Sequence, residues 1–118
     1  MLQNGVQIPN AGQAIIDPEK LYGYLLAPSH PIGRFKAAFF LALGYTSDNW
    51  RRLEADLRSQ HLSQDAMPEG PAIYGQKYTI RARLEGPSGA SADTVSVWVV
   101  RTGEEFPRFV TAYPEGSR

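Results

Sequence analysis

The 118-residue sequence has no cysteine, only two histidines and no net charge, its twelve Lys and Arg matched by twelve Asp and Glu. Without cysteine there is no disulfide framework, no thiolate metal site and no thiol nucleophile, which suits a reducing cytoplasm. His30 and His61 are far apart, with no H-x-x-x-H and no carboxylates at ligand spacing, so a metal centre has no support. Zero net charge argues against nucleic-acid binding by bulk phosphate neutralisation; any such contact must come from a local patch. No apolar run approaches the ~18 residues that suggest a membrane span. The opening MLQNGVQIPN lacks the cationic and apolar stretches of a signal peptide. Missing too are G-x-G-x-x-G, G-x-x-x-x-G-K-[ST] and G-x-S-x-G, which removes nucleotide-loop and α/β-hydrolase readings. No metal and no cofactor is expected.

What is present suits a single domain over residues 1–118, since 42% of the residues are hydrophobic and Phe, Tyr and Trp can build one core. Residues 1–14, with the turn signal IPNAG, read as an arm, and residues 17–62 as the helical part. In AIIDPEKLYGYLL, Asp17 is an N-cap, Pro18 suits the first helical position and Glu19 the positive end of the dipole. Leu21, Tyr24 and Leu25 follow at helical spacing; Pro28 and Pro31 end the helix. A second helix runs from about Gly33 to Leu43, with Phe35, Phe39 and Leu43 as its buried stripe, Phe40 widening it, and Gly44 closing it. A third opens at Ser47 as N-cap. Its Trp50, Leu53 and Leu57 face inward, while Arg51, Arg52, Glu54, Asp56 and Arg58 face water. His61 reads as a surface residue at its frayed end, and SQDAMPEGP as a loop.

After Gly75 the period changes from 3.6 to 2. KYTIRARL alternates, with Tyr78, Ile80, Ala82 and Leu84 on one face and Lys77, Thr79, Arg81 and Arg83 on the other. EGPSGASAD is a flexible loop, and TVSVWVVR a strand apolar on both faces. PRFVTAY is a last strand, opened by Pro107, where a missing N–H is tolerated. The order predicts an α+β fold: N-terminal helices packed on an antiparallel meander of three or more strands within residues 72–114. Its core should join Leu21, Leu25, Phe35, Phe39, Leu43, Trp50, Leu53, Ile80, Val97, Val99 and Phe109 across the helix–sheet seam.

One stretch could carry chemistry. In SHPIGRFKAAFF, His30, Arg34 and Lys36 cluster at the start of the second helix, whose free N–H groups add to the attraction for an anion. Lys77, Thr79, Arg81 and Arg83 make a polar stripe on one strand; Thr111 and Tyr113 share a face of the last. Cleaving RNA through its 2′-hydroxyl needs a base, an acid for the 5′-oxygen and cations for the phosphorane, and no metal. Histidine suits the proton transfer, and arginine suits bidentate phosphate contact. The catalytic candidates are therefore His30, Lys36, Arg81, Thr111 and Tyr113, with Arg34, Arg83 and Lys77 for substrate binding. The bland reading makes Arg81 and Arg83 a wet sheet face, His30 a loop residue, and Tyr22, Tyr24 and Tyr45 core or rim. Two functions stay open: a metal-independent ribonuclease, or a non-catalytic module that docks a protein through its sheet face or second helix.

KLYGYLLAPSHPIGRFKAAFF and VSVWVVRTGEEFPRFVTAYP resemble a family of short bacterial proteins of unknown function. Its marks are K-L-x-x-Y-L-L, H-P-x-G-x-x-K-A-x-x-F and W-x-x-x-x-G-E-x-x-P-R, which begin here at Lys20, His30 and Trp98, within a likeness spanning about residues 8 to 114. Helices followed by a meander are similar to the broad class of barnase, EndoU, colicin and RelE-type ribonucleases, toxins of toxin–antitoxin and polymorphic toxin systems. That resemblance implies His30 and Lys36 on the helix-borne side of a site, and Thr111 and Tyr113 on the terminal strand. It further implies RNA as substrate and a small acidic antitoxin or immunity protein as partner, with no membrane involved.

Overall fold

The change of period near residue 75 is where helices give way to sheet. The computed structural model describes residues 6–30 and 34–116, with backbone alone at residues 34, 35, 71 and 72. It is an α+β fold, three helices followed by a four-stranded antiparallel sheet in the order β1-β2-β3-β4.

Helix α1 spans Pro18–Lys20 and continues as a π-helical turn, Leu21–Leu25. Asp17 caps it, its carboxylate accepting from the Glu19 N–H at 3.0 Å. The wide turn is closed by Leu26 N–H donating to the Leu21 carbonyl at 2.8 Å. Leu21, Leu25 and Leu26 all point into the core, which leaves Lys20 and Tyr24, one turn apart, on the flank.

Helix α2 spans Arg34–Ala42, and Gly44 closes it with a φ of 98°. Its buried stripe is not the expected one. Phe40 is fully buried with Ala37 and Leu43 beside it, whereas Phe39 is half-buried. Adjacent side chains on a helix diverge by ~100°, so only one of the two can point at the sheet. Phe40 takes that place, in edge contact with Tyr45, and Phe39 leans on Phe40 at 5.0 Å. The Phe35 side chain lies outside the described residues.

Helix α3 spans Trp50–Asp56, led in by a 3-10 turn, Ser47–Asn49, and continued by a π-turn, Leu57–His61. The cap is Thr46 and not Ser47, since Thr46 and Asn49 form a reciprocal capping box. Asp56 faces inward against expectation. It is buried, accepting from the Tyr45 hydroxyl at 2.6 Å and from Arg52 Nε at 2.9 Å, so two donors compensate its lost hydration. Burial, reinforced by the Asp56 bond, pushes the Tyr45 phenol well above its ordinary range.

His61 is the larger correction: it is wholly buried, not on the surface. Its Nδ1 lies 2.7 Å from Ser96 Oγ and its Nε2 3.2 Å from the Ala82 carbonyl oxygen. The Ala82 carbonyl can only accept, so in the neutral ring Nδ1 accepts from the Ser96 hydroxyl, whose oxygen accepts in turn from Trp98 Nε1–H at 2.8 Å. Nε2–H then donates to Ala82, which fixes the neutral tautomer. Burial drives the His61 pKa down to about 4.

The strands are β1, Met67–Ala72; β2, Gly75–Glu85; β3, Ser91–Arg101; and β4, Pro107–Pro114. Strand β1 arises where the sequence reads as a loop. Pro68, Gly70 and Pro71 hide it from any pattern, and it holds to β2 with a bulge between Glu69 and Pro71. The glycine-rich stretch after β2 is tighter than a flexible loop. Ser88 N–H donates to the Leu43 carbonyl at 3.1 Å, and a Cβ at Gly86 would run into that carbonyl.

Register sorts the sheet into two faces. Ile80, Leu84, Ser96, Trp98, Phe109 and Ala112 face the helices. Lys77, Thr79, Arg81, Val95, Val97, Val99, Arg108, Thr111 and Tyr113 face the other way. Val97 and Val99 are buried as expected, but on this outer face and not at the helix–sheet seam. The segment read as an arm packs Ile8 and Ala14 into the core, and Ile16 follows just beyond it. Val6 exchanges backbone hydrogen bonds with Ala66, just before β1, and Ile15 brackets β4 through Pro107 and Phe109.

Candidate functional site

Tyr24 leaves α1 on the flank nearest β4, and α2 crosses the same edge. Lys36, one residue away from the buried Ala37, is thereby carried to the border of the outer face. Its ammonium donates to Thr111 Oγ1 at 3.2 Å and to the Tyr24 hydroxyl at 3.0 Å, and lies 6.0 Å from the Tyr113 ring centre. The His30 ring stands edge-on to Tyr24, with centroids 5.0 Å apart. Lys36, Thr111 and Tyr113 therefore meet directly, and His30 is joined to them through Tyr24. The Arg34 side chain, with Pro31 and Gly33, lies outside the described residues.

Beyond this wall the outer face is floored by valines. A cleft of about 230 Å³ is lined by Tyr74, Lys77, Val97, Val99, Val110, Thr111 and Tyr113. Thr79, Val97 and Thr111 share one row of the ladder, so the two threonines face each other two strand spacings apart, ~10 Å. On the far side Thr79 donates to Glu69 Oε2 at 2.9 Å. One row further, Arg81 lies in register with Val95 and Tyr113 and approaches Glu115 at 3.7 Å. Arg83 stands apart from the cluster, exposed and bonded to Asp93 at 3.1 Å and Ser91 at 3.0 Å.

The electrostatics of Lys36 differ from those of most of the arginines. Arg52, Arg58, Arg81, Arg83 and Arg108 each have a carboxylate partner. Among the described residues none is paired with Lys36, which is half-buried and held by two hydroxyls. A cation fixed by neutral acceptors, with no carboxylate beside it among the described residues, can attract an anion. Among the described residues no group of three or more His, Asp or Glu could hold a metal ion. No helix among them is long and apolar enough to cross a membrane.

Reading the sequence passes over three residues here. Tyr24 looks like rim, yet Lys20 and Tyr24 at i, i+4 mark one flank and could have shown it. Glu69 is hidden in the strand that reads as a loop. Tyr74, at the hairpin tip between β1 and β2, carries no periodic signal.

A family model described as a domain of unknown function (DUF6883) matches residues 7–116. No curated protein matches significantly. Among solved structures, the fold is similar to a chain of a contact-dependent growth inhibition toxin–immunity protein complex from Klebsiella pneumoniae 342. The TM-score is 0.59 at 19% identity, covering 91% of this chain and 97% of that one.

Proposed function

We propose that this chain, which belongs to the DUF6883 family, is a toxin-like ribonuclease that cleaves RNA without a metal, using the cleft on the outer face of its sheet. The observation that carries the reading is Lys36, held by the Tyr24 and Thr111 hydroxyls without an ion-pair partner among the described residues. In this scheme His30 takes the proton of the 2′-hydroxyl and the 2′-oxygen attacks phosphorus. Lys36 and Arg81 balance the charge of the phosphorane. The bond to the 5′-oxygen breaks, that oxygen takes a proton from the Tyr113 hydroxyl, and a 2′,3′-cyclic phosphate is left. Thr111 positions Lys36, and Lys77 holds a neighbouring phosphate. The structural neighbour, a complex of a growth inhibition toxin with its immunity protein, supports a toxin- or immunity-related role with a protein partner.

The test is cleavage of a defined oligoribonucleotide in excess chelator, with the products analysed for cyclic phosphate ends. Lys36→Ala should lower turnover by ~10²–10³ and His30→Ala by ~10²–10⁴. A single 2′-deoxy substitution at the scissile nucleotide should abolish it. Cleavage undiminished in both variants would overturn the assignment.

A second reading has its own observation. Leu41 on α2 is 60% exposed beside an apolar groove formed with Leu26, Pro28, Ala37 and Ala38. A non-catalytic module docking a protein through α2 would use that groove, and Leu41→Glu would then abolish complex formation while RNA went uncut.

A further inference from the structure

The outer face does not end at the Lys36 cleft. A second cleft of about 420 Å³ adjoins it, sharing Tyr74, Val99 and Val110 as lining. Three cations reach it, Lys20, Arg101 and Arg108, against one carboxylate, Asp17. Arg108 is already held by Glu104 in two bonds of 2.9 Å. Lys20 and Arg101 form no ion pair among the described residues, although Glu104 also feels the charge of Arg101. Lys20 is half-buried, and its ammonium donates to the Val110 carbonyl, at the β4 bulge, at 3.3 Å. Burial foremost, with Asp17 opposing and the charge of Arg101 adding to the effect, holds the Lys20 pKa below its ordinary value. Two like charges are thus brought together at the rim of an apolar-floored cleft, an arrangement that an anion between them relieves. Beside them Tyr74 is 67% exposed at the hairpin tip, its ring bordering both clefts.

We infer that this second cleft is a subsite for single-stranded RNA, with Tyr74 as the stacking platform for a base and Lys20 and Arg101 as contacts for the phosphate flanking the cleaved bond. The inference rests on the ribonuclease reading and extends it to the substrate, which must be an unpaired strand longer than a dinucleotide. An aromatic platform beside a cationic groove is the arrangement that binds single strands with little regard to base identity. Arg108 and Thr111 are three residues apart on β4, ~10 Å of strand, so consecutive nucleotides can span both clefts.

The experiment compares a dinucleoside monophosphate with a hexaribonucleotide as substrates, and follows binding of a fluorescein-labelled hexamer carrying one 2′-deoxy nucleotide by anisotropy. Tyr74→Ala and Arg101→Gln, both at exposed positions, should lower the preference for hexamer over dinucleotide about tenfold, mainly through KM. Lys20→Gln should do the same and Lys20→Arg should restore it. Arg101→Gln should also make the salt dependence of hexamer binding shallower by ~0.7 in log–log slope, as loss of one single-strand phosphate contact requires. An unchanged preference in Tyr74→Ala and Arg101→Gln would overturn the subsite. If the unaltered protein cuts neither substrate yet binds the hexamer in a Tyr74- and salt-dependent way, the subsite stands and the catalytic reading falls.

Discussion

His61 shows how a single side chain can mislead when read from sequence. Apart from Leu62 its neighbours in RSQHLSQ are polar, and no repeating local pattern reveals that a π-turn rotates it inward. Its partners, Ser96 and Ala82, lie on strands 35 and 21 residues away. The burial has a thermodynamic consequence. With a folded pKa of about 4 against an ordinary 6.5, the unfolded chain binds more protons between those values. Stability is therefore complete above pH ~6.5 and is lost as pH falls towards 4, by up to roughly 3 kcal/mol. Urea unfolding at pH 7.5, 5.5 and 4.5 checks this directly. His61→Gln should lower stability at pH 7.5 and flatten the slope between 7.5 and 4.5. An equally steep slope in that variant would assign the acid sensitivity to other groups.

At the level of elements, what was legible followed a repeating pattern. The strict alternation of KYTIRARL and the two-sided apolar character of TVSVWVVR place β2 and β3, and Asp17-Pro18 places the start of α1. Where pattern fails, so does the reading. β1 is built from two prolines and a glycine and exists because β2 offers it a ladder. The stripe of α2 is ambiguous from sequence because two phenylalanines stand side by side, and contacts with Tyr45 decide between them. The same limit applies to the site: Lys36 and Thr111 were visible as candidates, but their contact depends on α2 crossing the edge of β4, which no local signal encodes. Truncation of each phenylalanine tests the assignment of the stripe. Phe40→Ala should cost ~3–5 kcal/mol, as for a fully buried aromatic, and Phe39→Ala less than half of that. Chemical denaturation midpoints at constant m-value would read the difference. Equal losses would mean that the two rings share the burden.

Across the whole molecule, the fold divides its sheet between a helix-covered face that holds the core and an outer, valine-floored face that carries two clefts. Its edges are handled separately. On one side β1 is short and bulged, has no N–H at Pro68 and Pro71, and is preceded by the Val6–Ala66 pairing. On the other, Ile15 and Lys20 occupy backbone groups of β4. Restoring a ladder N–H with Pro68→Val should accelerate thioflavin-positive aggregation on warming while leaving the native circular dichroism unchanged. Unaltered aggregation kinetics would show that this proline does not guard the edge. The closed edges matter more here than they would in a highly charged protein. With a pI near 6.7 the molecule has almost no electrostatic repulsion between copies at neutral pH. Its colloidal stability then rests on geometry: prolines at one edge and Ile15 and Lys20 at the other leave colliding copies less ladder to extend.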